Sequence, residues 1–132
     1  FNTEEKLLLR PYSFYVKCFT LPDLFAGKMH ALLFRKWKTR VKGRDWYDME
    51  WYIKKGIPLH LDHLATRARD SGDWNRKNMT RNDFMKLLHG KIEVVSFNRI
   101  REDIIRFIPD EKVLDIWSAR YFTDLSEKIR LI

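Results

Sequence analysis

The chain has 132 residues, 45% of them hydrophobic and 33% charged, which suits one globular domain with a modest core and excludes a disordered or low-complexity polymer. Its 26 Lys and Arg against 18 Asp and Glu leave a net charge of +8, an excess that favours polyanionic partners such as nucleic acid or nucleotides. The single cysteine, Cys18, excludes an internal disulfide. The longest apolar stretch, 24–34, is interrupted and falls short of the ~20 residues that cross a bilayer, so a cytoplasmic setting without a membrane is expected.

In chain order, Tyr12 to Leu21 (YSFYVKCFTL) is rich in aromatic and β-branched residues between Pro11 and Pro22, and predicts one strand. A lone strand needs a partner, so its sheet is expected upstream or in another chain. Asn2 to Arg10 offers a second, weaker strand or a helix turn. Thr20, Pro22 and Asp23 mark a helix start, with proline in the first turn and an acid near the positive end of the dipole. From Leu24 to Phe34 the helix is apolar nearly all round, which predicts burial. Gly27 inside it predicts close approach of another backbone or of a ligand beside Lys28.

After Phe34 comes RKWKTRVKGR, basic and free of acids. A helix over Asp45–Lys55 follows, with Trp46, Met49, Ile53 and Tyr52 on its apolar face and Gly56 as its stop. His60 to Ser71 predicts another helix, burying Leu61, Leu64 and Ala68. Thr80 with Asp83 predicts a capping box that opens a helix through Phe84, Leu87 and Leu88. Ser96 caps a further helix to Phe107, which Pro109 ends. The last helix is expected over Leu114–Ile129, with Ile116, Trp117, Ala119, Phe122, Leu125 and Ile129 at helical spacing. The fold class is therefore α+β and predominantly α-helical, with one or two N-terminal strands and about six helices.

The chemistry concentrates in 28–48. Lys28 is the one charge in a greasy helix, so its ammonium must reach water, an acid, or a cleft that holds an anion. At 100° per residue Lys28, Ala31 and Arg35 share an arc of roughly 60°, and the small alanine leaves room beside the lysine. On the next helix Asp48 lies one turn beyond Arg44 and Asp45.

KMHALLFR followed by GRDWYD, after a strand and a Leu-Pro-Asp helix start, resembles the lysine helix and RDxxD motif of the nucleotidyl transferase AbiEii/AbiGii toxin family. The matched positions are Lys28, Ala31 and Arg35, then Arg44, Asp45 and Asp48, and the helical tail with IIRFIPDEKVLDIW extends the likeness along the chain. The resemblance implies a nucleotidyltransferase that moves a nucleotide from an NTP, with Mg²⁺, to an RNA acceptor such as tRNA, checked by a cognate antitoxin. It assigns Lys28 to the triphosphate and the catalytic centre, Asp45 to metal support or orientation of the attacking hydroxyl, Arg35 to phosphate, and Arg44 and Asp48 to supporting positions. The family's Gly-Ser loop and Asp-x-Asp pair do not occur among the 132 residues, and the chain opens on Phe1. The expectation is a C-terminal portion: 1–55 the end of a nucleotidyltransferase-like core, 56–132 a helical C-terminal region, inactive alone and able to self-associate through the N-terminal strand.

These residues also have ordinary readings. Lys28 can snorkel, Asp45 can complement a helix dipole, Asp48 can pair with Arg44, and Arg35 can be a solvated helix end. Lys36, Trp37, Lys38, Arg40 and Lys42 suit RNA backbone contact with a ring for stacking, or a solvated connector. The competing function is a non-catalytic basic helical module that binds nucleic acid or a partner protein. No metal site is expected among His30, His60, His63 and His89, since His60 and His63 lack a third ligand nearby in sequence.

Overall fold

The computed structural model describes residues 20–35 and 42–132. Among them six α-helices follow in order: α1 Leu21–Phe34, α2 Gly43–Lys54, α3 Leu61–Asp70, α4 Arg81–Val94, α5 Phe97–Ile104 and α6 Ala119–Ser126. Two 3₁₀ turns, Ile105–Phe107 and Glu111–Leu114, lie between α5 and α6. The described part is predominantly helical, as expected. The expected N-terminal strands lie almost wholly in 2–19, outside the described residues; Leu21, expected at the end of the Tyr12 to Leu21 strand, is instead the first residue of α1.

Local chemistry explains most boundaries. Thr20 is extended at the N-cap of α1 and Pro22 sits in its first turn, where the missing N–H costs nothing. Gly56, with φ of 71°, turns the chain off α2 in the left-handed region that glycine enters freely. The Thr80–Asp83 capping box is complete, each side chain accepting the other's backbone N–H. Ser96 accepts from Arg99 N–H to open α5.

Two predicted helices are shorter than expected. The one ending at Phe107 is α-helical only to Ile104, then tightens into 3₁₀ and leaves Phe107 exposed. The last begins at Ala119 rather than Leu114, because Ser118 caps a new start by accepting the Tyr121 N–H at 3.1 Å. Arg101 also takes the Trp117 carbonyl. Ile116 is therefore exposed, and so is Ala119, whereas Trp117, Phe122, Leu125 and Ile129 are buried.

Helix α1 packs across both α2 and α3, α2 reaches α5, and α4 lies against α6. At the centre Trp46 meets Phe97 and Phe122 edge-on, with ring centroids 5.3 and 5.2 Å apart, while Phe97 and Phe122 stack at 5.3 Å. Such pairs add about 0.5–1.5 kcal/mol each beyond area burial. No residue of α1 is fully exposed, and Phe25, Ala26 and Met29 have no accessible surface, which explains its nearly all-round apolar sequence.

The C-terminal residues return to the start of α3. Leu59 and Leu131 form an isolated parallel bridge, with Leu59 N–H donating to Arg130 at 2.7 Å and Ile132 N–H to Leu59 at 2.9 Å.

Candidate active site

Packing α1 on α2 sets the ammonium of Lys28 between two carboxylates. Its Nζ lies 3.0 Å from Asp45 Oδ1 and 2.9 Å from Asp48 Oδ2. Arg35, just past the end of α1, brings Nη1 to 3.5 Å from Asp45 Oδ2, and Arg44 Nε is 4.0 Å from Asp48 Oδ2. The five charged residues singled out from the sequence thus converge. Asp45 is 6% exposed at its side chain, Lys28 23% and Asp48 19%.

The electrostatics follow from that burial. Desolvation pushes Lys28 down, but the Asp48 and Asp45 carboxylates outweigh it and hold the ammonium above its usual value. The lysine stays charged throughout the physiological range. Its position is also fixed, since a lysine with two acceptors loses the rotamer freedom a surface lysine keeps. Asp45 sits in the first turn of α2, where the helix dipole favours a carboxylate.

The arrangement gathers three cations and two acids at a helix interface. Asp45 Oδ1 and Asp48 Oδ2 each lie within 3.0 Å of the same ammonium, so the nearest partner of both carboxylates is a cation.

Of the other sequence candidates, Lys36, Trp37, Lys38 and Arg40 lie outside the described residues. Lys42 is the half-buried N-cap residue of α2 and makes no side-chain cap. The protein neighbour of Gly27 is a side chain rather than backbone: a Cβ there would meet the Arg67 guanidinium at 3.5 Å, an ordinary contact. Gly43 is the glycine held by close approach, because a Cβ would come within 2.5 Å of the Ile100 carbonyl. Its N–H donates to Asp103 Oδ2 at 2.9 Å, joining α2 to α5.

Two groups escaped the sequence. Glu50 is buried and accepts from Trp117 Nε1 at 3.1 Å and from the Tyr121 hydroxyl, whose pKa burial and then Glu50 push upward. Asp23 accepts from His60 Nδ1 at 2.5 Å and His63 Nδ1 at 2.9 Å, supplying the third polar group that those histidines lack in their own helix. Neither has a local signal, since the partners are far apart in sequence.

The described residues thus give a helical domain with a lysine held by two carboxylates across two neighbouring helices. The family profile described as nucleotidyl transferase AbiEii toxin, type IV TA system, matches residues 2–128, and the chain belongs to that family. No curated protein and no solved structure matches the chain. No helix among the described residues is long and apolar enough to cross a membrane.

Proposed function

We propose that this chain works as the C-terminal part of a nucleotidyltransferase toxin that transfers a nucleotide from an NTP to an RNA acceptor such as tRNA, with an antitoxin as its partner. The observation that carries the reading is the Lys28 ammonium, kept charged and aimed at one place by Asp45 and Asp48. A fixed compact cation suits the oxygens of a triphosphate, whose negative charge grows on the leaving side as the α-phosphorus is attacked.

In this reading Lys28 binds the triphosphate and Arg35, on the same Asp45 carboxylate, contacts phosphate beside it. Asp45 is the acid poised to orient the acceptor hydroxyl, and Asp48 and Arg44 hold the lysine and each other in register. The NTP and its Mg²⁺ come with the whole enzyme. The metal ligands are assigned to residues outside this sequence, because the family's Asp-x-Asp pair does not occur among the 132 residues. The metal supplies the charge neutralisation that phosphoryl transfer requires.

The test is incorporation of labelled nucleotide into RNA. The 132 residues alone are expected to show none, and a protein that restores the residues ahead of Phe1 is expected to show transfer that Lys28→Ala lowers by about 10²-fold or more. Activity of the 132 residues by themselves would refute the divided site. Near-parental activity of Lys28→Ala, with RNA binding abolished by replacing Lys38, Arg40 and Lys42, would favour the non-catalytic basic module.

A further inference from the structure

The starts of α1 and α3 meet at residues that the proposed reaction does not use. Asp23 stands in the first turn of α1, His60 is the residue before α3, and His63 lies in its first turn. Backbone joins the two starts, with His60 N–H donating to the Pro22 carbonyl at 3.3 Å. On this frame both imidazoles aim Nδ1 at a single oxygen, Asp23 Oδ1, and the three donor atoms lie within 4.8 Å of one another.

We propose that Asp23, His60 and His63 form a binding site for a divalent transition-metal ion of the zinc class, spanning α1 and α3. Two imidazoles and one carboxylate suit borderline ions such as Zn²⁺, Co²⁺ or Ni²⁺ better than Mg²⁺ or Ca²⁺, which prefer oxygen-rich shells. Bonds of about 2.0–2.2 Å around a tetrahedral centre place neighbouring donors roughly 3.3 Å apart. The present separations of 2.5 and 2.9 Å need to open by less than an ångström, within the reach of side-chain rotation.

A cavity of about 720 Å³ opens beside His60 and His63 and is lined also by Asp62, Thr66 and Asp70. It borders the two histidines and not Asp23, so solvent lies beside two of the three ligands, and the fourth position is assigned to water. Arg67 opposes loading. Its Nε–H donates to His63 Nε2 at 3.0 Å, which keeps the His63 proton on Nδ1, facing Asp23. A metal at Nδ1 moves that proton to Nε2 and displaces the guanidinium, so Arg67 sets the affinity.

The inference stands apart from the nucleotide reading, and its readouts do not involve transfer. Chelator-treated protein is titrated with Co²⁺, followed by absorption, and with Zn²⁺, followed by calorimetry and thermal melting. The expected result is one ion per chain, a visible d–d band, and a melting temperature that climbs with free metal, because the ion staples α1 to α3. Asp23→Asn and the pair His60→Gln with His63→Gln should each weaken binding by about tenfold or more while keeping the helical circular-dichroism spectrum. Arg67→Ala should tighten it. If neither the parent nor Arg67→Ala takes up Co²⁺ or Zn²⁺, the cluster is a hydrogen-bonded helix junction and the proposal fails. It fails equally if an ion binds with unchanged affinity in the Asp23 and histidine variants.

Discussion

Lys28 shows what one charge in an apolar helix commits the structure to. Lys28→Met would leave Asp45 and Asp48 facing each other with their shared cation gone, and should cost about 2–3 kcal/mol in denaturant unfolding, below the range for fully buried pairs because the lysine is 23% exposed. Since its folded pKa is raised, the ammonium's contribution is fully present below about pH 10.5 and is lost as pH rises further; alkaline unfolding should begin earlier in any variant that removes Asp48. His30 works in the opposite direction. Burial, with Arg67 and Arg35 beside it, holds its imidazole below the usual value against the pull of Asp73. Its contribution is present above about pH 6.5 and lost as pH falls below that, so His30→Gln should flatten the acid limb of the stability curve. At this scale the sequence was legible where residues share a helix face, as Lys28 and Arg35 do. It was silent where partners are distant, as for Asp23 with His63 or Glu50 with Trp117, because no local pattern encodes which helix ends will meet.

The helices were readable wherever a cap or a glycine marked them. Thr80, Ser96 and Gly56 each act where their side chain, or the lack of one, predicts. Thr80→Ala should cost about 1 kcal/mol through loss of the box, read as a lower denaturant midpoint with unchanged slope. The boundary at Ala119 was missed because apolar spacing runs unbroken through the 3₁₀ turn at Glu111–Leu114, and period alone does not tell a tight turn from a continuing helix. Two glycines give opposite forecasts for the same substitution. Gly43→Ala forces a Cβ to 2.5 Å from the Ile100 carbonyl and 2.9 Å from Ile104 Cβ, and should destabilise by about 1–3 kcal/mol as α2 and α5 are pushed apart. Gly90→Ala meets nothing within 4 Å inside α4, and should stabilise by about 0.5–1 kcal/mol.

For the molecule as a whole, α1 serves as the shared wall: one side meets α2 and carries the Lys28 cluster, and another meets α3 and carries Asp23. The return of the C-terminal residues ties that wall down. Removing residues 130–132 deletes the hydrogen bonds from Leu59 and Leu61 N–H to Arg130 and Ile132 and the one from Ile132 N–H to Leu59, and should cost about 3 kcal/mol in chemical unfolding. The predominantly helical character of the described residues was legible from apolar periodicity, whereas the parallel bridge at Leu59 was not, since a single pair leaves no repeating pattern. The central claim is that the ammonium between α1 and α2 meets a nucleotide's phosphates. It is tested most directly by adding a non-hydrolysable NTP with Mg²⁺ to isotopically labelled protein that carries the residues ahead of Phe1, and mapping the amide resonances that move. The account predicts the largest shifts at 26–29 and 44–48, and their loss in Lys28→Ala; shifts confined to other helices, or unchanged in Lys28→Ala, would contradict it.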